Sequence, residues 1–322
     1  MPEDRSDMES NHEQAVALAA ELLGPLAARY VPVGPMTTYR VGGAADLFVR
    51  LTARDQIPTV AAALNVSGLP LLLIGRGSNL LVADAGFRGI ALSIAEICND
   101  IEIDTETSTV TAGGGVLLPV LARRIASAGL TGFEWAVGVP GSVGGAVRMN
   151  AGGHGSDMSE SLTSVTLADL ADDPNGDIVQ SMGVEQLGLR FRGSGLSPTQ
   201  LIIDATVQLA PGSREAAEGE LSEIVRWRRA NQPGGQNAGS VFVNPVPGEV
   251  TCGELIDSAG LRGFRHGSAT VSEKHANFIQ ADENGSADDV RALMRLVRDR
   301  VEATSGWRLR SEIRLIGFED DF

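Results

Sequence analysis

Two glycine-rich stretches are the parts of this chain most suited to chemistry. The first, Ile74-Gly-Arg-Gly-Ser-Asn-Leu-Leu81, follows directly on the apolar run Leu71-Leu-Leu-Ile74. Gly75 and Gly77 free the backbone to turn sharply and present N–H groups to a phosphate, and Ser78 and Asn79 add side-chain donors. The second runs Val137-Gly-Val-Pro-Gly-Ser-Val-Gly-Gly-Ala146 and on through Val147-Arg-Met-Asn-Ala-Gly-Gly-His-Gly155. So many glycines without low-complexity repetition cost backbone entropy, which implies close approach to something. A pair of structural turns is the competing reading. A Rossmann cradle would need a third glycine at position 80 opening a long helix. Leu80 stands there, followed by strand-like Leu81-Val82, so that fold is disfavoured.

The elements that must position these loops are short. From about 37 to 210 the chain shows β-branched and apolar runs punctuated by glycine, such as 71–74, 89–94 and 109–112, which read as strands. Helices are predicted over 15–23, ended by Gly24-Pro25, over 57–64, and over 117–128 with Gly129 at the C-cap position. A helix over 214–230, ending in Asn231-Gln-Pro-Gly-Gly235, marks the passage into a C-terminal domain. There Ser286-Ala-Asp-Asp289 opens a helix like a capping box, with Val290, Leu293, Val297 and Val301 along one face. A strand then sets Leu309, Ile313 and Leu315 against Arg310, Glu312 and Arg314. The pattern is α+β. It divides into a tail over 1–14 expected to be disordered, a domain over 15–212 with two subdomains split near 105–115, and a C-terminal domain over 213–322.

Composition narrows the classes. The 322 residues are 43% hydrophobic and 21% charged, ordinary for a globular enzyme. A net charge of −15 without a basic block argues against nucleic acid and anionic membrane as partners. Cys98 and Cys252 stand far apart with no metal-ligand spacing, so buried thiols in a reducing compartment and no metal site are expected. The acidic opening Met1-Pro-Glu-Asp-Arg-Ser-Asp7 lacks an apolar core and no run is long enough to span a bilayer, so a cytoplasmic protein is expected.

Thr37-Thr-Tyr-Arg-Val-Gly-Gly43, the loop at 75–84 and the segment 138–155 together resemble the FAD-binding half of the UDP-N-acetylenolpyruvoylglucosamine reductases. The resemblance continues through Phe191-Arg-Gly-Ser194, Asn237-Ala-Gly-Ser-Val-Phe-Val-Asn-Pro245 and Gly253-Glu-Leu-Ile-Asp-Ser-Ala-Gly-Leu-Arg-Gly263. It ends with Val271-Ser-Glu-Lys-His-Ala-Asn-Phe-Ile279 and Ser311-Glu-Ile-Arg-Leu-Ile-Gly317, covering about 35–318 in family order. It implies a flavin domain of the vanillyl-alcohol-oxidase type followed by a smaller substrate domain. It also implies non-covalent FAD, NADPH as hydride donor, and a UDP-sugar substrate reduced to UDP-N-acetylmuramate for peptidoglycan, with no obligatory protein partner.

By the same resemblance the flavin contacts fall on Tyr39, Arg40, Gly75, Arg76, Gly77, Ser78, Asn79 and Leu80 in the first part. In the second they fall on Gly138, Pro140, Gly141, Ser142, Gly144, Gly145 and Asn150. Ser240 maps to the general acid, and Arg192 and Glu312 to charge stabilisation beside the substrate carboxylate. On local sequence alone Ser240 is a turn residue, Glu312 a strand-surface ion-pair partner and Arg192 an exposed arginine; only their joint occurrence in family motifs favours the catalytic roles. Asn244 maps to a nucleotide contact. Lys274 and His275 are candidates for the same face, against the reading of a solvated turn.

Three departures from the family stand out. Asn231 occupies the place of a diphosphate-binding lysine, leaving Arg228 or Arg229 to supply the charge. His154 replaces an aromatic. The segment after Arg192 holds no tyrosine, as in the subgroup with a short loop. Two other functions share the N-terminal signals: an FAD-linked sugar or hydroxy-acid oxidase, and a flavin electron-transfer subunit. The oxidase usually tethers its flavin through His or Cys, and His12 is the only histidine before Gly75.

Overall fold

The computed structural model describes residues 5–173, 176–319 and 322. They form two compact units. One comprises Met1–Val31, Ala45–Gly75 and Arg88–Ser222, the other Pro32–Ala44, Arg76–Phe87 and Glu223–Phe322. Each has its own apolar core.

In the first unit, helix α1 (Arg5–Leu23) buries Val16, Ala19 and Leu23, a face at i, i+3 and i+7, in one core with Val60, Ala61 and Leu64 of α2 (Ile57–Ser67). The disorder expected over 1–14 is therefore corrected from Arg5 onward. Its polar first turns are continuous with a packed helix, and His12 Nε2 lies 2.8 Å from the Asp46 carboxylate. Tertiary packing stabilises what composition alone would leave unfolded. Residues 1–4 of that tail lie outside the described residues. Helix α2 runs three residues past its expected end to Gly68, whose φ of +65° closes it.

The two larger sheets of this unit have four and five strands. A four-stranded sheet has the order Ala27–Pro32, Ala44–Arg50, Phe87–Ser93, Leu71–Ile74, the last two parallel with Leu71 opposite Ile90. A five-stranded antiparallel sheet has the order Val179–Gly183, Leu162–Asp169, Gln200–Gln208, Thr109–Gly113, Ile101–Asp104. The break between them falls at 94–100, earlier than the expected 105–115. Helix α3 (Leu118–Ser127) buries Leu118, Leu121, Ala122 and Ile125, followed by Gly129 at φ +77°. Inside the second glycine stretch the chain winds into α4 (Val143–Met149), where a loop was expected, because Ser142 Oγ caps it from the Gly145 amide.

Helix α5 (Arg214–Asn231) leads out of the first unit. The second contains α6 (Cys252–Ser258), α7 (Ala287–Ser305) and a three-stranded antiparallel sheet of Arg265–His266, Ala269–Val271 and Ile279–Ala281. Ser286 caps α7 as expected, and Val290, Leu293, Val297 and Val301 are fully buried. The expected continuous strand near the C-terminus is instead two. Arg310–Ser311 pairs antiparallel with Phe242–Val243, and Arg314–Ile316 pairs parallel with Leu80–Val82. That second ladder, with the Gly43 amide donating to the Ala83 carbonyl at 2.9 Å, draws 32–44 and 76–87 into the second unit. The unbroken division at 212/213 therefore gives way to an interleaved one. The α+β class stands.

Candidate functional site

Within the first unit Gly75, which opens the first glycine loop, lies against the second glycine stretch. A Cβ on Gly75 would fall 2.3 Å from Ser142 Oγ, so only glycine fits there without displacing the hydroxyl that caps α4. The amides of Gly141, Val143 and Gly144 are already spent on the carbonyls of Val139, Val116 and Gly114, and a Cβ on Gly144 would stand 3.1 Å from the Gly114 carbonyl oxygen. The close approach predicted for this stretch is thus made in part to the chain itself, through a third glycine run, Gly113-Gly-Gly115. Gly138, Gly141 and Ser142 are buried, while Pro140 and Gly145 are exposed at the surface of the loop.

Asn150, expected to touch cofactor, is used within the fold. At φ +40° it ends α4, its Nδ2 donates to Asp157 at 3.2 Å, and its Oδ1 accepts from the Ser159 amide at 3.0 Å. Arg192 also has positive φ, +57°. Its guanidinium lies 5.2 Å over the Phe191 ring, and Nη1 donates to the Gly152 carbonyl at 3.2 Å. That bond ties it to the second glycine stretch.

The second unit holds the rest of the first glycine loop. Gly77 has φ +66°, and its carbonyl accepts from the Thr38 amide at 3.1 Å. Among the described residues the amides of Arg76, Gly77 and Ser78 donate to no protein group. Thr38 Oγ1 and the hydroxyl of fully buried Tyr39 likewise lack a partner, and burial pushes the Tyr39 hydroxyl well above its ordinary pKa. Arg40, at φ +56°, and Arg76 line a cavity of about 830 Å³ together with Thr38 and Lys274. Unpartnered donors and cations at a sharp glycine turn fit a phosphate-bearing cofactor.

Asn79 and Leu80 connect this loop to Glu312. Asn79 Nδ2 donates to the Glu312 carbonyl at 3.0 Å, the Arg314 amide returns to the Asn79 carbonyl at 2.9 Å, and Leu80 pairs with Arg314. On its other side, the Glu312 amide donates to the Val241 carbonyl at 2.8 Å. Glu312 therefore sits at the break between two short strands, one leading to the glycine loop and the other to Ser240.

Ser240 follows Gly239, whose φ of +78° sets the turn that the sequence suggested. It lines a second cavity, about 330 Å³, with Asn244, Gly253, Arg262, Lys274 and His275 among its neighbours. Asn244 Oδ1 accepts from the Cys252 amide at 2.9 Å, which fixes Nδ2 as the free end of that amide. Cys252 itself donates from Sγ to the Val243 carbonyl at 3.1 Å; burial, and then the charge of Glu312, push its thiol up to about 12. His275 accepts from the Asn277 amide at Nδ1, and burial followed by Arg262 holds it below the usual histidine value. Lys274 borders both cavities and reaches the Arg229 carbonyl through Nζ at 2.5 Å. Arg228 borders neither; burial lowers its pKa. Asn231 Nδ2 donates back to the Trp227 carbonyl at the end of α5.

The structure thus brings Ser240, Asn244 and Lys274 to one cavity, ties Glu312 to the Ser240 turn, and keeps Arg192 in the other unit. Sequence reasoning missed Arg262 and Asn277. The second had a signal, an asparagine inside the apolar run Ala276-Asn-Phe-Ile279, where a polar side chain must be satisfied. Among the described residues no group of three or more His, Cys, Asp or Glu could hold a metal, and no helix is long and apolar enough to cross a membrane.

Comparison with known proteins matches residues 45–182 to an FAD binding domain and residues 231–316 to the C-terminal domain of UDP-N-acetylenolpyruvoylglucosamine reductase. A UDP-N-acetylenolpyruvoylglucosamine reductase of Heliobacterium modesticaldum is 42% identical over 288 residues, covering 89% of each chain. One from a Synechococcus species is 41% identical over 292 residues, covering 90% of this chain and 93% of its own. The crystal structure of UDP-N-acetylenolpyruvylglucosamine reductase from Thermus caldophilus superposes with a TM-score of 0.73 at 32% identity, covering 89% of this chain and 98% of that one. With identity of this order over 89–90% of its length and both halves matched, this chain belongs to the UDP-N-acetylenolpyruvoylglucosamine reductase family.

Proposed function

We infer that this chain reduces the enolpyruvyl ether of UDP-N-acetylglucosamine to the lactyl ether of UDP-N-acetylmuramate, the step of peptidoglycan precursor synthesis its family performs. The observation that carries the reading is the tie between Ser240 and Glu312. The backbone N–H and C=O of Glu312 bond the Ser240 turn, through Val241, and the glycine loop, through Asn79. When bound, FAD supplies the hydride, taken from NADPH and passed to the terminal vinyl carbon of the substrate.

The residues of the chain then have separate tasks. The amides of 76–78, with Arg40 and Arg76, hold the phosphates of the cofactor. Asn244 Nδ2, Lys274 and Arg262 offer donors to the nucleotide, and Arg228 or Arg229 compensates for Asn231. As hydride adds to the terminal carbon, the double-bond electrons move toward the carbon beside the carboxylate. Ser240 gives its hydroxyl proton to that carbon and recovers one from solvent. Arg192 and Glu312 stabilise the charge that develops on the carboxylate side. His12, in α1 and the only histidine upstream of the loop, is engaged with Asp46, which speaks against a covalent flavin tether. The reading is of a cytoplasmic enzyme needing no second protein.

Replacing Ser240 by alanine tests the assignment. The variant should keep FAD and accept hydride from NADPH at the normal rate, yet reduce the nucleotide about 10³-fold more slowly, because protonation fails while binding persists. Full turnover by Ser240→Ala would remove Ser240 from the role.

A further inference from the structure

Asn277 is 3% exposed, and its side chain and its carbonyl bond the two residues that follow Ser240. Its side-chain Oδ1 accepts from the Phe242 amide at 3.0 Å, and its Nδ2 donates to the Phe242 carbonyl at 2.9 Å. Its own carbonyl accepts from the Val241 amide at 2.9 Å. A carboxamide that bonds the N–H and C=O of one residue reproduces the pairing a neighbouring strand would give, within a single side chain. The opposite edge of the same segment is bonded by the Arg310–Ser311 strand and by the Glu312 amide. Val241 and Phe242 are thereby clamped from both sides, immediately after the glycine turn that carries Ser240.

We propose that Asn277 is a positioning residue, one that holds the Ser240 hydroxyl and the Glu312 peptide in fixed register so that the proton reaches the substrate carbon. This rests on the reading of Ser240 as the acid. Asn277 does not itself transfer a proton. Its amide accepts from the Phe242 N–H and donates to the Phe242 C=O at once without carrying charge. An aspartate there retains the acceptor but turns a second carboxylate oxygen toward the Phe242 carbonyl. Once protonated, that aspartate again offers one acceptor and one donor.

The test follows from that chemistry. Asn277→Asp and wild-type enzyme are reduced with NADPH without oxygen, then mixed with the enolpyruvyl nucleotide, and flavin reoxidation is followed across pH. His275, Cys252 and Glu312 lie near this segment, so each rate is divided by the wild-type rate at the same pH. Expected is flavin reduction within about twofold of wild type, with reoxidation roughly 100-fold slower near pH 8.5 and recovering to within about fivefold near pH 5.5 as the carboxyl protonates. Asn277→Ser, too short for the double bond to Phe242, should retain flavin and reoxidise slowly at every pH. A normal rate in either variant at high pH would overturn the proposal. So would parallel loss of both half-reactions, or a defect in Asn277→Asp that acid does not relieve. If wild-type enzyme is not reoxidised by the nucleotide, the function itself is misread and this inference falls with it; an active wild type beside an unaffected variant removes the inference alone.

Discussion

Gly77 shows what a single residue contributes. Its φ of +66° lies in the left-handed region, and a methyl group on it would fall 2.6 Å from Thr37 Cα and 2.8 Å from the Met36 carbonyl, both backbone. Gly77→Ala should therefore cost about 2 kcal/mol of stability and lower the flavin content of the purified protein. Thermal melting and the ratio of flavin to protein absorbance read both effects; unchanged melting with full flavin would contradict the account. This residue was legible in the sequence, because a Gly-x-Gly directly after an apolar run marks a sharp turn. The bonds of Asn150 to Asp157 and Ser159 were not, because the family motif marks Asn150 for the cofactor and says nothing of its partners within the fold. Asn277 escaped for a related reason, since its partner Phe242 is 35 residues away and contributes only backbone groups.

At the scale of elements, α7 shows both what sequence conveys and what it hides. The Ser286 cap and the apolar face at 290, 293, 297 and 301 follow from spacing alone. The helix start is also held by Asp84, whose carboxylate accepts from Ser286 Oγ at 2.5 Å, the Ala287 amide at 3.0 Å and the Asp288 amide at 3.2 Å. Negative charge at a helix start satisfies free amides and complements the helix dipole. Asp84→Ala should destabilise the protein by about 1 kcal/mol, measurable as a lower denaturant midpoint with an unchanged slope. A midpoint equal to wild type would show that Ser286 suffices. No local pattern could have paired residues two hundred positions apart. The strand break at 312–313 was equally hidden, because alternation across Leu309, Ile313 and Leu315 reads as one strand. The interruption exists because the Glu312 amide turns to Val241 while its carbonyl meets Asn79.

At the scale of the molecule, the chain divides into two units, each with its own core. The segments 32–44 and 76–87 belong with the C-terminal unit, and that assignment depends on the parallel pairing of Leu80–Val82 with Arg314–Ile316, a contact that periodicity cannot specify. The α+β class and the family were legible because many short motifs recur in order along the chain. The central claim concerns the reaction, and the most direct measurement is anaerobic single turnover of the purified protein. With NADPH, the flavin should bleach, then recover on addition of one equivalent of enolpyruvyl nucleotide. Run in D2O, the same turnover should place one deuterium at the terminal carbon of the UDP-N-acetylmuramate formed and one at the carbon beside the carboxylate. Flavin that stays reduced with the nucleotide and recovers only with oxygen or a redox protein would contradict the account.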